Sequence, residues 1–417
     1  MAAERASLSV RDQTSTFGAA ATALFPAPGR RARLALCLAF AVALPLTFFG
    51  NQVGGLLFSG WAWLLALAMI GPLTLVDPLH PRAVVALWPY LAFLLYALTS
   101  LAWTPDLAKG ALTLLQLLLP ALAYLMAWQA TRDVRGVVDP LVKVCFGVLG
   151  FAIAVVLVDR MVGLGPLQLS TRPVGISLSI VLTIVTMNSR SWLGTMLIGC
   201  VAVAIAVAVG SRMAAAVLTL LLLCSPSLAL RVHWRILIAA LFCILLVAAS
   251  HTEVFRARFF FDPNASLLDV LTLSDKVNTA GRRELWPQLL HACSEKATFG
   301  YGLGASYGLS TRFSGGPLSH PHNDYLRTLC DTGLTGSIFF WGFFLVMGAR
   351  SLGRALKPTP NRRLHGAASM LVLALLIFAI TDNPMVYTAH FMIPLALVLG
   401  LSDGSHYRWR TRTVVNG

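Results

Sequence analysis

Charged residues are scarce in this chain, since Asp, Glu, Lys and Arg together make up only 12% of its 417 residues. Soluble domains carry about 25%, so the composition excludes an ordinary water-soluble protein. Acidic residues are fewer than basic residues. The sequence contains no Asp-x-Asp pair and no acidic cluster suited to Mg²⁺. We therefore expect no Mg²⁺ site, and we expect no other cofactor.

Cysteine is also rare, with seven in the whole chain. Most of them lie in or beside apolar runs, where they behave as small hydrophobic residues. The exceptions, Cys293 and Cys330, fall in a long polar segment and could form a disulfide, although nothing in their spacing demands one. The cysteines of the apolar runs are Cys37, Cys145, Cys200, Cys224 and Cys243.

Hydrophobic residues, by contrast, make up 57% of the chain, in long uncharged runs that recur from Leu34 to Gly400. A run of about 20 apolar residues crosses a hydrocarbon core of roughly 30 Å as a helix. The pattern predicts an all-α, polytopic membrane bundle of about twelve transmembrane helices. The first run follows a polar stretch too long for a signal peptide, so we expect a retained anchor. The predicted spans are 34–50, 53–76, 83–103, 110–130, 141–158, 173–188, 192–210, 213–230, 234–250, 329–349, 366–381 and 385–401.

The net charge of +15 could suggest a nucleic-acid partner, but its distribution along the chain argues against one. Most Lys and Arg residues fall in loops on one predicted face of the membrane, and such loops are usually cytoplasmic. We therefore predict a bacterial inner-membrane protein with both termini in the cytoplasm, no nucleic-acid partner, and basic loops that attract anionic lipid. The short loops of the opposite face hold only Lys109, Arg160, Arg172 and Arg212.

One long polar segment, over 251–331, interrupts the predicted spans, and the predicted topology places it in the periplasm. Its basic and acidic residues balance. A long loop in a chain of otherwise short connections is usually functional, so we expect the chemistry, and some short helices, in this loop. The predicted order is a disordered cytoplasmic N-terminus over 1–33, spans one to nine over 34–250, the periplasmic loop over 251–331, spans ten to twelve over 332–402, and a cytoplasmic tail over 403–417.

Within this loop, a helix is predicted from Arg282 to about Lys296, followed by a glycine-rich turn over 300–304. The helix carries an apolar stripe, as expected of an amphipathic helix that lies at the membrane surface. The glycine cluster follows no clear strand, so it indicates a tight turn and not a nucleotide-binding loop. The stripe comprises Leu285, Trp286, Leu289, Leu290 and Cys293.

The residue best suited to proton transfer is His322, because a neutral imidazole can accept a proton near neutral pH. The alternative interpretation is structural, with Asn323 or Asp324 as the N-cap of the helix that follows, and both interpretations could hold together. His320 and His322 could instead bind a metal, but two histidines at this spacing without a cysteine are weak evidence for that.

Arginines form the second group of candidates. Arg212 lies at the outward end of a predicted span, where an arginine is either functional or extends to the lipid headgroups. Arg282 and Arg283 begin the loop helix, and guanidinium groups at a helix N-terminus match phosphate oxygens well. The alternative for this pair is anchoring to lipid headgroups.

Three motifs together resemble those of the O-antigen ligase and Wzy-type polymerase superfamily of bacterial surface polysaccharide assembly. The family's His-Asn, nine residues, then Gly-x-x-Gly-Thr resembles His322-Asn323 followed by Gly333-Leu-Thr-Gly336-Ser337, with Ser in place of the last Thr. Its Gly-Arg-x-x-x-Trp resembles Gly281-Arg282-Arg283-Glu-Leu-Trp286, and its Ser-Arg resembles Ser211-Arg212. These motifs cover roughly 210–340, and the remainder agrees only in hydropathy.

The resemblance implies a metal-independent, inverting transferase whose donor is a glycan on undecaprenyl pyrophosphate. Arg212 and Arg282 would hold the pyrophosphate, and His322 would orient or deprotonate the acceptor hydroxyl. The acceptor would be lipid A-core for a ligase, or a lipid-linked repeat unit for a polymerase of O-antigen or exopolysaccharide. Other polysaccharide-assembly proteins are candidate partners. The expected substrate-binding residues are Ser211, Arg283, Trp286, Asn323 and Asp324.

Two other classes of protein fit the hydropathy. A polysaccharide transporter or flippase would also have about twelve spans, but coupling sites usually need ionisable residues inside the spans, and these are scarce here. A structural membrane component would explain the apolar runs but not the coincidence of the arginine and histidine motifs. A transferase is therefore the interpretation that the sequence favours.

Overall fold

The computed structural model describes most of the chain from residue 37 to residue 416. The described ranges are 37–48 without 38, 52–53, 56–75, 81–131, 135–162, 171–189, 191–209, 211–224, 260–262, 276–279, 281–316, 318–359 and 361–416, with isolated residues between 236 and 269. The predicted disordered segment over 1–33 and most of the predicted span over 234–250 lie outside the described residues.

The described chain is mainly helical, with a short antiparallel hairpin of β1 (Gln52–Val53) and β2 (Leu56–Leu57) and an isolated antiparallel bridge between Phe260 and Val277. This confirms the predicted all-α class. The principal helices are α1 (Phe58–Leu75), α2 (Pro81–Ser100), α3 (Leu107–Ala130), α4 (Arg135–Val162), α5 (Thr171–Asn188), α6 (Trp192–Ala208), α7 (Arg212–Cys224), α8 (Arg282–Glu295), α9 (Ala305–Phe313), α10 (Asp324–Ala355), α11 (Arg362–Thr381) and α12 (Ile393–Asn416).

Five of the described helices are long and apolar enough to cross a membrane, by length and composition. Further apolar helices are shorter than 18 residues within the described ranges, among them α6 (Trp192–Ala208). The predicted number of about twelve spans therefore stays a prediction. The five long helical segments are Pro81–Trp103, Leu107–Ala130, Val137–Val158, Asp324–Ala355 and Arg362–Thr381.

An aromatic cluster joins α2 to α10 inside the bundle. The ring of Tyr90 lies 5.2 Å from that of Phe343 and 6.0 Å from that of Phe340, centroid to centroid. Its hydroxyl donates a hydrogen bond of 2.9 Å to the carbonyl oxygen of Leu117 on α3. A buried tyrosine hydroxyl needs such a partner, so this bond fixes how the three helices pack.

The C-terminal helix α12 packs closely along α3. A side chain at Gly400 would collide with the backbone of Tyr124, so glycine allows the two helices to approach. The Tyr124 hydroxyl donates to Asp403 at 2.9 Å, and Asp403 pairs with Arg354 at 2.6 Å. These polar contacts lie at the end of the bundle where α10 ends.

The opposite end of the bundle, called the site end below, is where α2 ends and α3, α10 and their loops begin. The link between α2 and α3 contacts the glycine turn there. The Thr104 hydroxyl donates to the carbonyl oxygen of Leu303 at 2.8 Å, and the Leu303 N–H donates to the Ser100 hydroxyl at 3.2 Å. The polar loop is thus fastened to this end of the helical bundle.

Helix α10 is interrupted near its start, at Gly333. Backbone groups around the interruption form hydrogen bonds with the segment 297–302. Gly333 has φ 63°, a left-handed conformation, and a side chain there would collide with the backbone of Thr298. Beyond the break, the N–H groups of Leu334 and Thr335 donate to Ala297 and Thr298 at 2.7 and 3.2 Å.

Before the interruption, the turn donates hydrogen bonds and α10 accepts them. The N–H groups of Tyr301 and Gly302 donate to the carbonyl oxygens of Cys330 and Asp331, at 2.8 and 3.0 Å. A helix interrupted inside a bundle leaves backbone groups that must find partners, and the segment 297–302 supplies them. The predicted tight turn is confirmed, and its role is to complete the broken helix.

Candidate functional site

His322 lies at the site end, in the segment that leads into α10. It has φ 52°, which makes it the one non-glycine residue with positive φ among the described residues, and its side chain is only 8% exposed. Its Nδ1 lies 3.0 Å from Nδ2 of Asn383, which follows α11. Backbone strain of this kind persists only where the surroundings hold it, and it is common at functional sites.

The residues after His322 begin the helix, as one of the two interpretations predicted. The Asn323 side chain accepts a hydrogen bond of 3.0 Å from the N–H of Leu326 and caps α10. Asp324 is fully buried, and its Oδ2 accepts a bond of 2.7 Å from the N–H of Met385. The helix therefore begins at Asp324, five residues before the predicted span over 329–349, because Asn323 provides the cap.

Arg327 is a buried cation beneath this segment, and it belongs to none of the motifs predicted from the sequence. Its side chain is 2% exposed and lies 3.9 Å from both Asp324 and Asp331, on one face of α10. Asp331 in turn accepts a bond of 2.7 Å from the N–H of Ser306, at the start of α9. The three charges form an ion-pair network that connects α9 to α10. Their spacing of three and four residues was the available signal.

Tyr307 links that network to the histidines. The Arg327 guanidinium lies 5.3 Å from the centre of the Tyr307 ring, and one of its nitrogens donates to the Tyr307 hydroxyl at 3.3 Å. The ring of His320 meets Tyr307 edge-on at 4.7 Å, and His322 lies 6.3 Å beyond His320. Lys109, at the start of α3, approaches the same tyrosine ring at 6.0 Å.

Helix α8 contacts the His322 segment directly. The indole nitrogen of Trp286 donates a hydrogen bond of 2.8 Å to the carbonyl oxygen of Pro321, the residue before His322. Arg282 and Arg283 begin this helix, Arg282 half-buried and Arg283 exposed. The structure thus brings the arginine motif and the histidine motif to neighbouring elements, joined by Trp286.

The apolar stripe of α8 faces protein rather than lipid. Leu285, Leu289 and Cys293 are buried, whereas Leu290 on the other side is 51% exposed. Cys293 forms a disulfide with Cys330 of α10, which confirms that this pair can bond. The predicted amphipathic helix is present, but packing and the disulfide hold its stripe on α10, and only its outer side remains for a membrane surface.

Next to the disulfide, Tyr301 secures the end of α8. Its hydroxyl lies 3.1 Å from both the carbonyl oxygen of Ala292 and a carboxylate oxygen of Glu295. Burial and this carboxylate raise the pKa of Tyr301, so the hydroxyl stays protonated and donates. The glycine turn is therefore attached to both α8 and α10.

The Ser211-Arg212 motif lies at the start of α7, next to α5. Ser211 is buried against α5, where a side chain on Gly175 would contact the Ser211 hydroxyl and Ala214. Arg212 begins α7, but its side chain lies outside the described residues. Connections of a few residues join α6 to both α5 and α7, so neighbouring helices run antiparallel. Helix α7 also packs against α11, which ends beside Asn383.

The described side chains offer no evident metal site. Within the described ranges, no three of His, Cys, Asp and Glu come together as a metal-binding group. His320 and His322 are separated by 6.3 Å between ring centres, and Asp324 and Asp331 are paired with Arg327. The described residues instead hold a buried imidazole at His322, beside a helix that begins with Arg282 and Arg283.

Comparison with known families supports the family resemblance that the motifs indicated. Residues 174–341 match the family model described as O-antigen ligase. This segment includes Ser211-Arg212, the start of α8 and His322-Asn323, so the resemblance to the O-antigen ligase superfamily is confirmed over it. The long apolar helices indicate a multi-pass membrane protein, and its residues 174–341 are similar to the O-antigen ligase family. No curated protein matches the chain.

Proposed function

We propose that this protein transfers a glycan from undecaprenyl pyrophosphate to a hydroxyl acceptor at the periplasmic face of the bacterial inner membrane. The observation that carries the proposal is the hydrogen bond from Trp286 to Pro321, because it joins the helix headed by Arg282 to the segment that holds His322. In this proposal, a guanidinium that suits phosphate and an imidazole that can exchange a proton act in one site. The family match over 174–341 supports the same reaction class.

The reaction is a single displacement at the anomeric carbon of the donor. The acceptor oxygen forms the new glycosidic bond while the bond to the pyrophosphate oxygen breaks, and the pyrophosphate lipid leaves with that electron pair. His322 takes the proton of the acceptor hydroxyl as the bond forms. Attack opposite the leaving group inverts the configuration of the anomeric carbon.

Arginines stabilise the leaving group. Arg282 and Arg283 begin α8, so the dipole at the helix N-terminus adds to their charge. Arg212 begins α7 and is the third proposed contact to the pyrophosphate. Charge neutralised by fixed cations favours the transition state, where negative charge grows on the leaving oxygen. Because the donor is already activated as a pyrophosphate, we propose a reaction that needs neither a nucleotide nor a metal ion.

The periplasmic location is supported by the disulfide and by the charges at the two ends of the bundle. Disulfides such as Cys293–Cys330 form and persist in oxidising compartments, among them the bacterial periplasm. The opposite end carries a cluster of arginines, including Arg354 and Arg408, as expected of the cytoplasmic side. The proposal accordingly keeps both termini in the cytoplasm and has the glycan donor reached from the outer leaflet.

The proposed acceptor is lipid A-core, which would make the protein a ligase, because the spaced motif from His322 to Gly336 follows the ligase pattern. A polymerase that uses a second lipid-linked repeat unit as acceptor is the close alternative. A deletion strain separates the two. Bare lipid A-core with accumulated lipid-linked polymer on a glycan gel indicates a ligase, and unpolymerised single repeats indicate a polymerase. A normal glycan ladder in that strain contradicts the proposal.

Transport without catalysis is tested separately with the purified full-length protein in lipid vesicles. Undecaprenyl-pyrophosphate-linked oligosaccharide and lipid A-core are supplied in the same leaflet, so no movement across the bilayer is needed. We expect a new glycosidic bond, detected by mass spectrometry. Movement of the lipid-linked oligosaccharide across the bilayer with no new bond would identify a flippase instead.

A further inference from the structure

The loop between α11 and the π-helical turn Thr388–Met392 lies against the His322 segment. Asn383 of this loop is 1% exposed. Its carbonyl oxygen accepts hydrogen bonds from the N–H groups of Val386 and Tyr387, at 2.9 and 3.1 Å, and its own N–H donates to Asp382 at 2.9 Å. The backbone at Asn383 is therefore fixed by its own loop.

A second contact holds this loop on the start of α10. The N–H of Met385 donates to the buried carboxylate of Asp324 at 2.7 Å, two residues after His322. The Asn383 amide reaches Nδ1 of His322 at 3.0 Å, across 61 residues of sequence. Two bonds thus connect the 382–385 loop to the segment 322–324, one at the imidazole of His322 and one at the carboxylate of Asp324.

The orientation of the Asn383 amide decides which protonation form of the imidazole is stable. If its N–H donates to Nδ1, the neutral ring carries its proton on Nε2 and acts as a donor. If its carbonyl oxygen faces Nδ1, the ring carries its proton on Nδ1, and Nε2 can accept one. Exchange of the amide oxygen and nitrogen leaves the distance to Nδ1 nearly unchanged, and hydrogen-bond networks alone assign it.

We propose that Asn383 is the positioning residue of His322, and that its side-chain carbonyl accepts the Nδ1 proton in the reacting enzyme. Nε2 is then the nitrogen that takes the proton of the acceptor hydroxyl. This inference rests on the proposed role of His322 as the base. Asn383 lies outside the segment 174–341 that matches the ligase family, so the contact is a property of the tertiary structure and not of the matched motif.

Other ionisable groups lie on the elements that carry His322 and Asn383. His320 lies on the same segment, with its ring centre 6.3 Å from that of His322. Asp324 and Arg327 lie on the helix that follows, and Asp382 precedes Asn383 on the facing loop. These groups are unchanged in the variants below, so a change in pH dependence reports the altered Asn383 contact.

The test compares Asn383→Asp with Asn383→Leu in the purified full-length protein, assayed in vesicles with undecaprenyl-pyrophosphate-linked oligosaccharide and lipid A-core. A carboxylate can accept the Nδ1 proton but cannot donate, whereas leucine can do neither. We expect Asn383→Leu to lower kcat at least about ten-fold, by loss of the oriented base. Asn383→Asp should keep most of the activity, with the rising limb of its pH profile moved to higher pH, because a carboxylate stabilises the imidazolium.

The control is Asn361→Asp, at the other end of α11, where the N-cap side chain makes no capping hydrogen bond. It should leave both kcat and the pH profile unchanged. The proposal is overturned if Asn383→Asp is as inactive as Asn383→Leu while both proteins are folded by gel filtration and retain the Cys293–Cys330 disulfide, since a donating amide would then be required. It is also overturned if both variants match the wild type.

The parallel His322→Ala variant separates this inference from the proposed function. An inactive His322→Ala protein together with fully active Asn383 variants removes only the positioning role. A fully active His322→Ala protein removes the base itself, and the proposed mechanism fails with it.

Discussion

The indole nitrogen of Trp286 lies 2.8 Å from the carbonyl oxygen of Pro321, and this bond connects two motifs that are 35 residues apart. It places the helix that begins with Arg282 against the residue that precedes His322. The disulfide from Cys293 to Cys330 makes a second connection between the same helix and α10. The arginine helix is therefore held at two points, which gives the proposed site a fixed framework and makes its parts testable one at a time.

We predict that His322→Ala abolishes glycan transfer, lowering kcat by about 100-fold or more, because a positioned base contributes about that much. The protein should still insert in the membrane and form its disulfide. Transfer is measured by the glycan ladder of a complemented deletion strain and by kcat in vesicles. His291→Ala is the matched control, since His291 is exposed on α8. Wild-type activity in His322→Ala would remove the imidazole from the reaction.

We predict that Arg282→Lys lowers kcat/KM by about ten- to a hundred-fold, because a lysine cannot replace the two-pronged contact of a guanidinium with phosphate. Arg283→Lys should have a smaller effect, since Arg283 is exposed while Arg282 is half-buried. The control is Arg312→Lys, an exposed arginine in the last turn of α9. Full activity in Arg282→Lys would indicate that this residue anchors the helix to lipid headgroups instead.

Arg327→Met should destabilise the fold by about 3–5 kcal/mol, because it leaves two buried carboxylates without their cation. The thermal unfolding midpoint in detergent is expected to fall accordingly. Lys276→Met is the control, since Lys276 and Asp262 form a pair with side chains 48% and 36% exposed. An exposed pair contributes at most about 1 kcal/mol, so the control midpoint should hardly move. Equal midpoints for the two variants would show that the buried network adds no stability.

Removing the disulfide by Cys330→Ser should lower the stability by about 2–4 kcal/mol, because the bond closes a long stretch of chain. Cys200→Ser, which changes an exposed free cysteine, should leave stability unchanged. In cells, Cys293 and Cys330 should resist alkylation until a reductant is added, and should become reactive in a strain without its periplasmic thiol oxidase. Immediate alkylation in wild-type cells would contradict the proposed periplasmic location.

Several features of the site were predictable from the order of residues alone. The cap at Asn323, the helix that begins near Arg282 and the turn at 300–304 are local features, each determined by a few neighbouring residues. The burial of Arg327 was not predicted. Its spacing from Asp324 and Asp331 puts the three on one helix face, but the pattern does not say whether that face meets water or α9.

The contact of His322 with Asn383 could not be predicted from local sequence patterns. Asn383 follows a different helix, in a short polar segment that looks like an ordinary interhelical loop. The repair of the break at Gly333 by Tyr301 and Gly302 is similar, because each partner looks like a simple turn when taken alone. Such pairings depend on which helices pack together, and hydropathy does not specify packing partners inside a membrane.

The sequence by itself determined that this is a helical membrane protein and where its histidine and arginine motifs lie, since apolar runs and short capping signals act over a few residues. Only the tertiary structure decided that α8 is bonded to α10, that Arg327 is enclosed by two carboxylates, and that Asn383 meets His322. The physical reason is that a buried polar group must find a partner wherever the packing of the helices brings one, however distant in sequence.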